Sequence, residues 1–198
     1  YAQSVKERIS VVFSSYMSGP HKVAFEMNGR EISMWDPFMT DNPLTTRMPT
    51  EYLYVNGNEV KIKTFILPHQ KKLSSNEFSL YAGAHGWNAQ QGFYIFRNNR
   101  LIVEGSWLLN GFEKAEQYRL ARIRIDIGNE TDSEWNIDVR KSTAVPPISI
   151  QNDIKRIAIA ARRESATIFR NRGKKLARRA RKEQCFVWHQ NIRNGKLG

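Results

Sequence analysis

Cysteine is all but missing from this chain. Cys185 stands alone among 198 residues, so neither an intrachain disulfide nor a multi-cysteine zinc site can form. That usage matches a reducing cytoplasm, and Cys185, beside Phe186 and Val187, reads as a small packed hydrophobe. Long apolar runs are missing too. Phe65-Ile66-Leu67 and Phe93-Tyr94-Ile95-Phe96 fall far short of the roughly 20 residues that cross a bilayer, so no membrane partner is expected. Histidine is sparse: His21, His69, His85 and His189 never stand three or four residues apart, the spacing that puts two imidazoles on one helical face, and no metal site is expected. There is no phosphate-cradling Gly-rich loop ending in Gly-Lys-Ser/Thr, no Gly-x-Ser-x-Gly elbow and no dinucleotide fingerprint. Self-contained catalysis is left without its usual signs, and a hydrolase built on His69 or His85 is the weakest reading.

The chain opens at Tyr1 rather than methionine and stops at Gly198, soon after Trp188-His189-Gln190 begins what reads as another element. Both ends predict a piece of a longer protein. With 40% hydrophobic residues it can bury a core for one domain of about 150 residues and a smaller appendage. The net charge of +12 is unevenly placed. Residues 151–198 hold 14 Lys and Arg against Asp153, Glu164 and Glu183, whereas residues 1–150 hold 17 against 16 carboxylates. A near-neutral body with a basic extension faces an anion, most commonly nucleic acid.

Along the chain, Ser4 and Glu7 form a capping-box pattern ahead of Val5, Ile9, Val12, Phe13 and Tyr16, which predicts a helix over 5–17. Asn28-Gly29 predicts a hairpin turn, residues 36–49 a loop, and the alternation of Val60, Ile62, Thr64 and Ile66 a strand with one buried face. Residues 68–90 read as a long exposed connection. A second hairpin turns at Asn98-Asn99. A third pairs residues 121–127 with a strand carrying Trp135, Ile137 and Val139. Arg122, Arg124 and Asp126 then share a face and read as a surface salt-bridge ladder. After Pro146-Pro147, Ser149 is a candidate cap for a helix whose buried stripe is Ile150, Ile154, Ile157, Ala158, Ala161, Ser165 and Ile168. Gly173 ends or kinks that helix. Residues 170–182 then hold eight cations: Arg170, Arg172, Lys174, Lys175, Arg178, Arg179, Arg181 and Lys182. They are candidate nucleic-acid contacts, with a solvated helix face as the alternative.

Three stretches carry a resemblance. Met27-Asn28-Gly29 with Trp35-Asp36-Pro37-Phe38 is the first, and Gln91-Gly92-Phe93-Tyr94-Ile95-Phe96-Arg97-Asn98-Asn99-Arg100-Leu101-Ile102 the second. The third is Leu120-Ala121-Arg122-Ile123-Arg124-Ile125-Asp126 with Asp132-Ser133-Glu134-Trp135-Asn136-Ile137-Asp138-Val139-Arg140-Lys141-Ser142. Over roughly residues 5–150 the chain resembles bacterial GHKL ATPases, the superfamily of the gyrase ATPase, heat-shock chaperone ATPases, MutL and MORC proteins. The Arg-Asn-Asn-Arg-Leu hairpin is closest to MORC-type members, and the Asp-Val-Arg-Lys-Ser strand is similar to the place where MutL-type proteins carry a trans-domain lysine.

The family's acidic base, its Asn, its Asp-x-Gly-x-Gly turn and its Gly-rich lid are not found in the 198 residues. The resemblance therefore implies an ATP site upstream of Tyr1, and that this chain is the transducer part. The implied fold is α+β: a ribosomal-protein-like, two-layer α/β transducer domain with a mixed sheet over 1–148, then a basic helical extension over 149–184. Residues 185–198 would start a further element, and helix 5–17 is assignable to the linker from the upstream domain. The implied site is Lys141, with Arg140 second, completing the upstream ATP site by sensing the γ-phosphate; ordinary strand-end surface cations are the alternative. ATP and Mg2+ are implied for the full-length protein and neither for the fragment alone, which is expected to be inactive within a full-length ATPase. The implied partners are the upstream ATP-binding domain, a second copy in a homodimer, and DNA or a client protein on which the clamp closes. The rival reading is a stand-alone nucleic-acid-binding module with a basic helical tail.

Overall fold

The computed structural model describes residues 2–19, 21–131, 133–137 and 143–171. The first element, α1, is Ala2–Val12. It begins ahead of the expected cap: Ser4 lies within its first turn, and Glu7 accepts a hydrogen bond from the Gln3 side-chain amide at 2.8 Å instead. It also ends earlier than expected. Ser14 Oγ donates to the Val11 carbonyl at 2.9 Å, a local bond by which serine competes with the helical ladder. Strands β1, Glu26–Met27, and β2, Arg30–Glu31, form the expected hairpin, with Asn28 and Gly29 at φ of 53° and 70°, as such a turn requires.

A six-stranded mixed sheet forms the body. Its strands are β3, Thr46–Arg47; β4, Glu51–Val55; β5, Asn58–Ile66; β6, Gly92–Arg97; β7, Arg100–Ser106; and β8, Ala121–Ile127. The order is β3-β5-β8-β6-β7, with β4 also on the outer edge of β5. Strand β8 is bonded on both sides: antiparallel to β5, with Ile125 opposite Ile62, and parallel to β6, with Ile123 opposite Phe93. At Gly92 (φ 104°) a Cβ would meet the Ser106 carbonyl oxygen at 2.6 Å, so only glycine lets β6 open this close to β7.

Helix α4, Gln151–Arg170, lies on one sheet face. All seven residues of its expected stripe are buried, and its isoleucines pack with Val60, Ile62, Phe93, Ile95, Ile123 and Ile125 in one core. Burying each such side chain contributes about 1.5–3 kcal/mol. Helix α4 therefore shares its core with the sheet, and the boundary expected at 148 falls inside that core. Ser149 is not the cap; it sits in a 3-10 turn, Ile148–Ile150, that feeds the helix. The opposite sheet face is also covered. Phe65, Tyr94, Phe96 and Leu101 pack there against Val11 and Val12 of α1 and against Phe38. Asp36 holds the Phe38 loop by accepting the backbone N–H groups of Phe38 (2.9 Å) and Thr40 (2.7 Å).

Several expectations change. Residues 68–90 are not one exposed connection, because they contain α2, Ser75–Ala82, and α3, Gly86–Ala89. A capping box starts α2: the Ser74 side chain accepts from the Glu77 N–H at 3.2 Å, and Glu77 accepts from the Ser74 N–H at 2.8 Å. Phe78 stacks on Trp87 at 5.1 Å, joining the two helices. The loop over 36–49 contains β3, and β4 is a strand that alternation had not announced. No strand runs through Trp135 among the described residues: residues 133–136 form a turn, and Trp135 is buried from it.

Candidate functional site

Lys141 and Arg140 lie outside the described residues, as do Arg172, Lys174, Lys175, Arg178, Arg179, Arg181 and Lys182. The described residues on either side of 138–142 are tied together. The backbone N–H of Trp135 donates to the Thr131 carbonyl (3.2 Å), and its own carbonyl accepts from the Val145 N–H (2.8 Å). The chain before residue 138 is thus tied directly to the chain after residue 142. Glu134 fixes the same turn to the β4–β5 turn, accepting from Asn56 Nδ2 at 2.8 Å, while Ser133 Oγ donates to its second oxygen at 2.7 Å. These bonds, the Ser133 one foremost, hold the Glu134 carboxyl below its usual range. Ala144 and the Trp135 indole are both buried in the core under α4.

The ladder expected on β8 is divided. Arg124 and Asp126 do pair, at 2.7 Å, and the Arg124 guanidinium stacks 3.9 Å from the Phe96 ring centroid. Arg122, by contrast, is completely buried, 5.7 Å from the Trp87 ring centroid. Its Nη1 donates to the Arg119 carbonyl at 2.8 Å, whereas Nε and Nη2 have no hydrogen-bond partner among the described residues. Burial lowers its pKa, opposed in part by Tyr94 and Glu104. The Tyr94 hydroxyl lies 2.8 Å from the Gln90 carbonyl oxygen and 2.5 Å from its Oε1, and burial raises the phenol's pKa. Glu104 accepts from Gln90 Nε2 (3.1 Å) and pairs with Arg8 of α1 (3.0 Å). Lys114 donates to the Ala89 carbonyl, and its pKa is lowered by burial and then by Arg122. This set, buried at Arg122 and Tyr94 and exposed at Arg8 and Lys114, ties α1, the sheet and the 107–118 segment together.

His69 is buried and caps a 3-10 turn, its Nδ1 accepting from the Lys71 N–H at 3.2 Å, and His85 is exposed. Among the described residues no group of three or more His, Cys, Asp or Glu is placed to hold a metal, and no helix is long and apolar enough to cross a membrane.

Arg170, the one described member of the basic run, ends α4 on the edge of an open groove of about 580 Å³ between α4 and residues 111–118. Arg162 and Arg163 line it as well. Arg162 is held in place by aromatic rings, its guanidinium lying 3.9 Å from the centroid of Tyr118, 4.8 Å from Phe112 and 5.3 Å from Trp107, and it donates to the Glu113 carbonyl at 3.2 Å. A second groove, of about 590 Å³, runs between α1 and α2–α3, with the Arg8–Glu104 pair along it.

The chain matches no family model, no curated protein and no solved structure.

Sequence reasoning thus reached Arg170 but missed Arg162 and Arg163, which stand on the same helix eight and seven residues earlier. Their signal was present. Arg163, Ala166 and Arg170 follow the i, i+3, i+7 spacing of one helix face, beside the apolar stripe.

Proposed function

We propose that this chain is the transducer module of a GHKL-type ATPase, coupling ATP held by an upstream domain to closure on DNA or a protein client. The observation that carries the reading is the frame around residues 138–142. That segment follows the central strand β8 and is flanked by Trp135 and Ala144, both buried under α4. A cation there that touches a γ-phosphate would pass load into the strand bonded on both sides and into the helix across it. The two-layer α+β architecture supports the reading, as do the three stretches of resemblance. Lys141 is the sensor and Arg140 the second choice, on the similarity of Asp-Val-Arg-Lys-Ser to the segment that carries the trans-domain lysine in MutL-type proteins. Charge on the γ-phosphoryl oxygens must be held by positioned donors, so a cation supplied from a second domain makes closure depend on ATP rather than ADP. In this reading ATP and Mg2+ belong to the upstream domain, and ATP draws two copies together.

The test begins with the chain itself. Purified residues 1–198 should neither bind ATP tightly nor hydrolyse it, and the reading frame ahead of Tyr1 should encode an acidic base and a Gly-rich lid. Turnover by the purified chain that a point change within it abolishes would overturn the reading, as would a start codon close to Tyr1. The latter outcome favours the stand-alone nucleic-acid-binding module, for which the basic groove on α4 speaks.

A further inference from the structure

We propose that the groove between α4 and residues 111–118 binds the phosphodiester backbone of a nucleic acid, with Arg162, Arg163 and Arg170 as its phosphate ligands. This rests on the nucleic-acid arm of the reading above and is independent of the ATP arm.

Charge comes first. Three arginines line the groove and, among the described residues, no carboxylate does. Elsewhere on α4 a cation is neutralised: Arg156 is paired with both Glu51 and Asp153. Arg163 has no ion pair among the described residues, and Arg170 only turns its Nε back to the Ala166 carbonyl at 3.3 Å. Two cations of one sign left unpaired on a folded, concave surface suit an anion supplied from outside.

Geometry comes second. Arg163 and Arg170 are seven residues apart on one helix, so they stand on the same face about 10.5 Å apart along the axis. A row of that length follows an extended polyanion better than a compact one. Arg162 is set deeper, its plane fixed by Tyr118 and Phe112, and it spends one N–H on Glu113. A guanidinium has five N–H donors in a fixed fork, so Arg162 keeps a pre-ordered set for a phosphate oxygen. Phe112, Tyr118 and the half-exposed Ile159 give the groove an apolar floor against which sugar edges can pack.

The number of cations in the sequence favours a nucleic acid over an acidic peptide. The groove opens at Arg170, where the run of eight cations in residues 170–182 begins. A duplex carries one negative charge per about 1.7 Å of axis, a denser row of anions than a mixed acidic peptide offers to so many cations. Most phosphate contacts carry no sequence information, so weak sequence preference is expected.

The experiment measures binding of the whole chain to fluorescent duplex DNA, single-stranded DNA and duplex RNA across a salt series, with polyglutamate as competitor. Arg163→Ala/Arg170→Ala is compared with a charge-matched control, Lys22→Ala/Arg30→Ala, whose side chains are exposed, off α4 and not part of the groove lining. Arg162 is left intact because it packs on three rings. The expected result is a log–log salt slope reduced by about 1.8 in the groove variant, roughly 0.9 for each phosphate no longer neutralised, with the control much closer to wild type. The probe with the steepest wild-type slope identifies the nucleic acid. An unchanged slope in the groove variant overturns the proposal, as does an equal change in the control or equal binding of polyglutamate. If Lys174→Ala/Lys175→Ala/Arg178→Ala/Arg179→Ala alone flattens the slope, the nucleic-acid reading stands and the groove is excluded. If the chain binds none of the probes, the groove proposal falls and the ATP arm is untouched.

Discussion

Arg122 and Tyr94 show how single residues set the electrostatics of the interior. The Arg122 guanidinium is enclosed with two nitrogens lacking partners, so its desolvation is not fully offset. Arg122→Met keeps most of the volume and removes the charge, and stability should equal or exceed that of wild type, since replacing buried charge by apolar groups is often neutral or favourable. Urea unfolding checks this; a loss of more than about 2 kcal/mol would mean that the cation is well compensated. Tyr94 has the opposite pH logic. Its phenol pKa is raised by burial, so above about pH 10 the unfolded chain releases a proton that the folded one keeps, and stability falls as pH rises. Tyr94→Phe should lose about 1 kcal/mol at pH 8, where a hydroxyl hydrogen bond disappears. Between about pH 10 and 11 it should lose less stability than wild type does. Parallel pH curves for the two proteins would refute this assignment.

Helix α4 is the element on which the core depends. Ile154→Ala should cost about 2–5 kcal/mol, whereas Ile159→Ala, on the groove side and half-exposed, should stay within about 0.5 kcal/mol. Thermal or urea midpoints of the two variants give the contrast, and equal losses would contradict the placement of the stripe. This helix was legible because its apolar residues keep a 3.6-residue period along its whole length. Strands β5 and β8 were legible from alternation, and β6 and β7 from apolar runs bounded by the Asn98-Asn99 turn. Other elements were not. In β4 the alternation puts Tyr52 and Tyr54 outward on an edge strand, so hydrophobicity pointed the wrong way, although Asn56-Gly57 marked its turn. Helix α2 buries no residue fully, and only the Ser74–Glu77 box announces it. Trp135 and Ile137 read as strand from their alternation, whereas residues 133–136 form a turn in which Trp135 alone is buried; Val139 lies outside the described residues. Arg122 could not be read from β8 at all: what covers its face is α1 and the Phe38 loop, more than 80 residues earlier, together with Trp87. Of the candidate site, the cations of 170–182 were plain from composition, while the groove depended on how residues 111–118 fold back on α4.

At the scale of the molecule, a sheet covered on both faces joins three regions: α1 at the start of the chain, the turn over 133–136 after β8, and the end of α4 at Arg170. The Arg8–Glu104 pair and the buried Val11 and Val12 tie the first to the sheet, and Trp135 ties the second to the core that α4 caps. Packing of this kind is what the proposed transducer between an ATP domain and a nucleic-acid contact would require. A cation acting where charge concentrates on the transferring phosphoryl group affects turnover far more than nucleotide affinity. The most direct measurement is ATP hydrolysis, alongside ATP affinity, for Lys141→Ala and Arg140→Ala in the longest gene product that contains this chain. Lys141→Ala should lose on the order of a hundredfold or more in turnover with affinity little changed. Loss in Arg140→Ala alone would move the sensor by one residue. Wild-type hydrolysis and ATP-dependent closure in both variants would contradict the transducer account.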